Sequence, residues 1–287
     1  MTLRWSHHDG LRLHSMWAGA PDNLRKAHEV FKRCAVPADE TLRKFDYARV
    51  EQLVRAHDLT YVEDVRASRV ANGFGNGNKA FVAHATAAVG CMIAGVEAAL
   101  DRPSSVVCAP VSGFHHAHFK SAEGFCTFNG LAVAIACARL KRRMPHVLII
   151  DGDAHYGNGT ADIISRLGWA GVHHLTHDNP DGGQRLSPQI WEPQIRGLLT
   201  NRPWDLVLYQ AGADAHVDDP YGAGYLNDDD WEARDQLVFQ YCARLGLPLV
   251  FNLAGGYNGE RTLELHAQTV RTARQAYAHV ERQAQPA

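Results

Sequence analysis

The sequence of 287 residues lacks the features that mark several classes of protein. Its formal net charge of −2 provides no basic excess for nucleic acid or for an anionic membrane surface. No apolar run approaches the roughly 20 residues that span a bilayer, and the polar start at residues 1–8 lacks the apolar core of a signal peptide. We therefore expect a cytoplasmic protein that binds neither nucleic acid nor membranes.

Paired cysteine spacing is also absent. Several of the six cysteines lie in apolar runs, so we expect reduced thiols in the core: Cys34, Cys91, Cys108, Cys126, Cys137 and Cys242. No repeat or low-complexity linker divides the chain, and a hydrophobic content of 46% is enough for a substantial core. The sequence predicts one domain over residues 1–287.

The most informative stretch covers residues 147–160. The apolar residues Val147–Ile150 predict a buried parallel strand, and Asp151, Asp153 and His155 then follow at every second position. In extended geometry their side chains point to one side, and carboxylate oxygen with imidazole nitrogen suits a divalent metal ion. A solvated strand-to-helix turn is the alternative, but three such donors favour the metal site.

Other apolar runs predict further strands, alternating with helices, and each ends in residues that can carry chemistry. These runs lie at 106–111, 172–176, 204–210 and 248–253. Asp214 and Tyr257 follow the last two. Since the carboxyl ends of parallel strands meet at one edge of a sheet, we expect an α/β fold with its site along that edge.

Two segments remain ambiguous from the residues alone. His115 and His116 could act as proton acceptor and charge donor, or could be two exposed loop histidines. Phe125 and Phe128 could wall a pocket or close the core. The acidic run at 228–230 is more typical of a solvated helix N-terminus than of a metal site.

Five motifs occur in order between residues 106 and 257, and together they resemble the zinc-dependent histone deacetylase family. They are Gly-Phe-His-His-Ala at 113–117, Gly-Phe-Cys-Thr-Phe-Asn at 124–129, Asp-Gly-Asp-Ala-His-Tyr-Gly-Asn-Gly-Thr at 151–160, Ala-Gly-Ala-Asp at 211–214 and Gly-Gly-Tyr at 255–257. The family includes acetylpolyamine amidohydrolases and acetoin-utilisation proteins, and two motif contexts are similar to class IV members. The resemblance implies an arginase-like three-layer sandwich, with helices on both faces of a largely parallel eight-stranded sheet.

The resemblance also implies a zinc site and a proton shuttle. Asp153, His155 and Asp214 would hold one Zn²⁺ per chain, leaving positions open for water and a substrate carbonyl. His116 would take the proton of the attacking water and later protonate the leaving amine. His115 would assist electrostatically.

Further roles follow from the same resemblance. Asp151 would orient the first histidine of the pair, and Asn158 stands in the place of the partner of the second. Tyr257 would donate a hydrogen bond to the tetrahedral oxyanion. Gly124 and Phe125 match the wall of a channel that holds the methylene stem of an acyl-lysine-like chain.

The chain also departs from the family pattern. Many members carry an aspartate that grips the substrate backbone, but residues 65–96 contain no carboxylate, and Asn76 or Asn78 would be weak substitutes. A His-Pro-Glu segment near the N-terminus is missing, which predicts trimmed rim loops and an open pocket. The resemblance allows a potassium ion near the backbone of residues 151–155.

These features predict a zinc-dependent amidohydrolase that removes an acetyl or longer acyl group from a lysine ε-amine or a related primary amine. A deacylase of small acetylated amines or polyamines is the alternative within the family. A ureohydrolase with two manganese ions would need further Asp and His ligands that the chain does not show. A catalytically silent acyl-binding module would have no need of His115, His116, Asp151 and Tyr257.

Overall fold

The computed structural model describes residues 3–6, 22–35, 41–42, 45–102, 104–176, 188–221 and 224–284. The described residues form seven strands: β1 (Leu3–Ser6), β2 (Thr41–Leu42), β3 (Val106–Ala109), β4 (Val147–Asp151), β5 (Val172–Thr176), β6 (Leu206–Gln210) and β7 (Leu249–Asn252). They pair in one sheet in the order β2-β1-β3-β7-β6-β4-β5. Every pairing is parallel, which confirms the predicted class.

The predicted count of eight strands is wrong for the described residues. Six strands have four or five residues, and the edge strand β2 has only two. The sheet ends at β2 on one side and at β5 on the other, because no further described segment pairs with either edge.

Nine helices surround this sheet in the described ranges: α1 (Asp22–Arg33), α2 (Val50–Leu53), α3 (Leu59–Arg66), α4 (Lys79–Leu100), α5 (Gly130–Lys141), α6 (Asn158–Arg166), α7 (Pro188–Asn201), α8 (Asp228–Leu245) and α9 (Gly259–Ala284). Asparagine caps three of them by accepting from a backbone N–H of the first turn: Asn78 for α4, Asn129 for α5 and Asn227 for α8.

The strands bury both faces, so side chains one position apart enter different cores. Along β4, Val147 and Ile149 pack with α4 and α5, whereas Leu148 and Ile150 pack with α7, α8 and α9. This alternation produces the predicted three layers. All six cysteines are free and buried, as the sequence predicted.

Helix α4 is long and apolar enough to cross a membrane by length and composition alone. In this fold 72% of its most apolar 18-residue window is buried. It packs against α5 and strand β3, as a core helix does.

The order of the strands brings the predicted functional segments together. Strands β3, β7, β6 and β4 are successive neighbours, and their carboxyl ends lie at one edge of the sheet. Asp151, the last residue of β4, is in register with Gln210 of β6 and Thr176 of β5. The segments that follow these strands therefore surround a common site.

Candidate active site

Asp151 is the buried centre of this site. Its Oδ1 accepts hydrogen bonds from Gln210 Nε2 (2.9 Å) and from the backbone N–H of Asp153 (3.2 Å). Its Oδ2 accepts from His115 Nδ1 (2.8 Å) and His174 Nε2 (3.3 Å). Burial opposes ionisation of Asp151, but the charge and hydrogen bonds of the histidines outweigh it and hold its pKa below the ordinary value.

A cluster of candidate metal ligands lies beside this carboxylate. One side-chain ligand atom from each of Asp153, His155 and Asp214 lies within 4.8 Å of the others. His155 Nδ1 is 3.1 Å from Asp153 Oδ1 and 3.0 Å from Asp214 Oδ2, while the N–H of Ala154 donates to Asp214 Oδ1 (3.0 Å). Gly255 makes room for this cluster, since a Cβ there would lie 2.3 Å from Asp214 Oδ1.

The charges of this cluster suit a divalent cation. Burial and the neighbouring Asp153 raise the pKa of Asp214 to about 7. Hydrogen bonds to the two carboxylates raise the pKa of His155 to about 11. Two buried carboxylates that repel each other, with one imidazole between them, are a donor set that Zn²⁺ accepts and whose repulsion a cation relieves.

The two adjacent histidines lie next to the cluster, with ring centroids 4.0 Å apart. Burial works against a charged His115, but Asp151 and Asp153 outweigh it and raise its pKa to about 9. Burial and the charge of His115 lower the pKa of His116. The pKa values of the two adjacent histidines are therefore shifted in opposite directions.

Asn158 determines which nitrogen of His116 carries the proton. Asn158 Oδ1 accepts from His116 Nδ1 (2.7 Å) and from the N–H of Gly159 (2.9 Å), while its Nδ2 donates to Glu123 Oε2 (3.3 Å). With its amide oriented in this way, Asn158 requires the proton on Nδ1. The Nε2 of His116 is then a proton acceptor.

A buried polar network holds the loop that carries both histidines. Asn129 Nδ2 donates to Thr160 Oγ1 (2.9 Å), and the N–H of Thr160 donates to the carbonyl of His115 (2.9 Å). His57 accepts from the N–H of Asn129 (2.9 Å) through Nε2 and donates through Nδ1 to the carbonyl of His118 (2.9 Å). The loop is thus fixed from two sides.

Tyr257 lies at the mouth of the site among aromatic side chains. Its N–H donates to Asp219 Oδ2 (2.6 Å), and its ring centroid is 5.8 Å from Phe125 and 5.3 Å from Tyr221. Phe74 lies 5.5 Å from Phe125 on the other side. Burial raises the pKa of Tyr257, so its hydroxyl stays protonated and can donate.

The two phenylalanines that the sequence left ambiguous have different positions. Phe125 is 50% exposed at the rim, with a positive φ of 64°, whereas Phe128 is buried against His57. Gly124 also has a positive φ, and a Cβ there would lie 2.4 Å from Cδ2 of His116. Gly124 and Phe125 therefore form a wall next to this histidine.

Asn76 and Asn78 are both engaged within their own loop. Asn76 Oδ1 accepts from Asn72 Nδ2 (3.0 Å) and from the N–H of Asn78 (2.9 Å). Asn78 Oδ1 caps α4 through the N–H of Ala80 (2.9 Å). Their acceptors are used in holding the loop rather than turned toward a substrate backbone.

Sequence reasoning missed four residues that contact the site: Lys26, His174, Gln210 and Asp219. Lys26 is 2% exposed, donates to the carbonyl of Gly255, and has its pKa lowered to about 8 by burial. No local pattern could reveal it, because its partner is 229 residues away. A histidine inside the predicted strand at 172–176 was the available signal for His174.

Comparisons with known proteins find similar sequences over most of the chain. The model of the histone deacetylase domain family matches residues 18–180 and 188–273. The histone deacetylase-like amidohydrolase of Pseudomonas aeruginosa is 27% identical over 278 residues, covering 84% of this chain and 72% of that protein. A probable deacetylase of Methanothermobacter thermautotrophicus is 27% identical over 251 residues, covering 74% and 73%.

A solved structure shares the fold. The crystal structure of the HDA15 HD domain aligns with a TM-score of 0.71, covering 97% of this chain and 90% of that one. Its sequence identity of 18% supports the shared architecture and nothing finer.

Proposed function

The chain belongs to the histone deacetylase family, and from that premise we propose that it is a zinc-dependent amidohydrolase acting on an acylated lysine side chain or a related acylated primary amine. Family membership supports a deacetylase activity. The observation that carries the finer proposal is that the two histidine rings, with centroids 4.0 Å apart beside the Asp-His-Asp cluster, have different partners: His115 donates to the carboxylate of Asp151, and His116 donates to the amide oxygen of Asn158.

Asp153, His155 and Asp214 are the residues that would hold the metal. A zinc ion bound there would polarise the substrate carbonyl and lower the pKa of a water molecule. Side chains of the protein carry out the proton transfers and stabilise the developing charge.

His116 transfers the proton in this proposal. Its Nε2 accepts a proton as the water oxygen attacks the acyl carbon, and then returns a proton to the amine nitrogen as the C–N bond breaks. The products are a carboxylic acid and a primary amine. Asn158 keeps the proton of His116 on Nδ1, so that Nε2 is available to accept and return the proton.

His115 and Tyr257 stabilise the charge that develops during the attack. The positive charge on His115 is sustained by Asp151 and favours the negative oxygen. The phenol of Tyr257 donates to that oxygen, an interaction that typically contributes about 10² to 10³ in rate.

The rim favours a substrate that presents a slender apolar stem. Phe125 and Tyr257, with ring centroids 5.8 Å apart, suit the methylene chain of lysine or of a polyamine. The internal hydrogen bonds of Asn76 and Asn78 leave them poor grips for a peptide backbone. This observation favours small acylated amines as the second candidate substrate class.

Turnover on three substrates tests the proposal: an acetyl-lysine peptide, a long-chain acyl-lysine peptide and acetylputrescine. We expect acid release from at least one, lost on chelation and restored by zinc. The proposal fails if the zinc-loaded protein, with His116 and Tyr257 intact, releases acid from none.

Two further measurements separate the alternatives. One zinc per chain supports deacylation, whereas two manganese ions would support ureohydrolysis. Tight binding of a hydroxamate without turnover would instead indicate a silent acyl-binding module.

A further inference from the structure

The carboxylate of Asp151 offers about four lone-pair sites, and it accepts hydrogen bonds from four N–H groups. Oδ1 is shared by Gln210 and the backbone of Asp153, and Oδ2 by His115 and His174, at 2.8 to 3.3 Å. Each acceptor position of this buried group is therefore occupied by the protein itself.

His174 is built into this arrangement. It lies in β5 in register with Ile149 of β4, and its side chain is 7% exposed. Gly157 provides the space for it, because a Cβ there would lie 2.6 Å from Cε1 of His174 and 2.8 Å from Oδ2 of Asp151. A larger residue at 157 would displace either the imidazole or the carboxylate.

The carboxylate of Asp151 does not fit as a ligand of the potassium ion that the family resemblance allows near the backbone of residues 151–155. A hard cation takes oxygen lone pairs as ligands, and the carboxylate of Asp151 has none to spare. The Nε2–H of His174 also directs the positive end of its dipole at the oxygen that a cation would approach.

We propose that His174 replaces a monovalent cation at Asp151, so that neither the fold nor the catalysis of this protein needs potassium. The statement on catalysis rests on the proposed function, and the statement on the fold does not. His174 acts as a positioning residue, since it contacts Asp151 and Asp151 in turn orients His115.

Thermal unfolding of the zinc-loaded protein tests this without any substrate. Tm is measured in potassium, sodium and choline chloride at equal ionic strength. A ligand that binds only the folded state raises stability with its concentration, and a site filled at 100 times its Kd would raise Tm by about 5 °C or more. We expect the three wild-type values to agree within about 1 °C.

The variant His174→Ser removes the N–H donor and opens space for an ion. We expect its Tm to rise with potassium, saturably, and not with choline. The matched control is His173→Ser in the same strand, whose imidazole faces Arg202 and Trp204 instead. Its Tm should not respond to potassium.

Two results would overturn the proposal: a saturable rise of wild-type Tm or turnover with potassium over choline, or no potassium response in a folded His174→Ser. If that variant does not fold, the wild-type salt series still decides, together with His174→Gln, whose side-chain amide keeps an N–H donor and should stay insensitive to potassium. A protein without turnover but with a potassium-independent Tm would refute the proposed function and leave this inference standing.

Discussion

His115 and His116 are consecutive residues with nearly touching rings, yet their surroundings differ in almost every respect. His115 is 2% exposed and donates to a buried carboxylate at the end of a central strand. His116 is only partly buried and donates to the amide of Asn158 at the start of α6. The pKa of His115 is raised, and the pKa of His116 is lowered.

The comparison shows that the partner of an imidazole decides its role. A carboxylate stabilises the charged form of His115, which suits it to stabilise negative charge. A neutral amide next to a charged neighbour keeps His116 unprotonated, which suits it to accept a proton. Substitutions at the metal cluster, at the two histidines and at their partners should therefore have different effects.

Asp214→Asn should abolish the metal site beside which both histidines lie. The amide keeps the size of the side chain but removes one anionic ligand, so we expect loss of bound zinc and a fall in turnover of about 10⁴-fold, since metal ions supply several kcal/mol to such transition states. Zinc content per chain and kcat are the measurements. Asp218→Asn, which alters an exposed partner of Arg261, is the control and should retain both.

Substitution of each histidine by asparagine should separate the two roles. His116→Asn should lower kcat by about 10³-fold with little change in stability, because general acid–base catalysis typically contributes 10² to 10⁴. His115→Asn should also lower stability, by about 3 kcal/mol, since it breaks a buried pair and leaves Asp151 short of a partner. Equal stability of the two variants by urea unfolding would contradict the contrast.

A third histidine beneath the same loop extends the comparison. His57 contacts backbone groups and no carboxylate in the described contacts, and burial lowers its pKa to about 4. The unfolded chain, with a pKa near 6.5, therefore binds the proton first as pH falls. Stability conferred by the neutral imidazole is complete above pH 6.5 and declines between pH 6.5 and 4.

His57→Gln should remove this decline. Relative to the variant, the wild-type protein should lose about 2–3 kcal/mol between pH 7 and pH 4.5, a factor of about 10² in the folding equilibrium. Urea midpoints at the two pH values provide the test. If the free energy of unfolding changed equally with pH in both proteins, protonation of His57 would not destabilise the fold.

The smallest effect concerns the pH dependence of catalysis. A base works unprotonated, so the lowered pKa of His116 predicts an acid limb of kcat/KM below pH 6.5. Asn158→Asp places a carboxylate on His116 and should move that limb upward by about one pH unit. Glu123→Gln should move it slightly downward, because Glu123 is largely exposed and acts through Asn158. If the acid limb of kcat/KM did not move in Asn158→Asp, the titrating group would not be His116.

The sequence predicted a strand and the metal-binding residues after it wherever an apolar run with regular spacing marks them. The apolar run at 147–150 became β4, and the donors just past it cluster with Asp214. The described residues contain no eighth strand, and that prediction came from family resemblance rather than from an apolar run in this chain. Phe125 and Phe128 could not be distinguished, since both are apolar and only the turn at Gly124 directs one outward.

The parallel α/β class, the strand ends that carry the chemically active residues, and the family of the chain could all be predicted from the amino-acid sequence, because they follow from periodicity and short motifs. Which residues complete the site depends on the folded structure. His174, Gln210 and Lys26 contact it from segments far apart in the chain, and such contacts depend on strand order rather than on neighbouring residues. The opposite pKa shifts of His115 and His116 were decided in the same way, since burial and charge at a side chain exist only once the chain has folded.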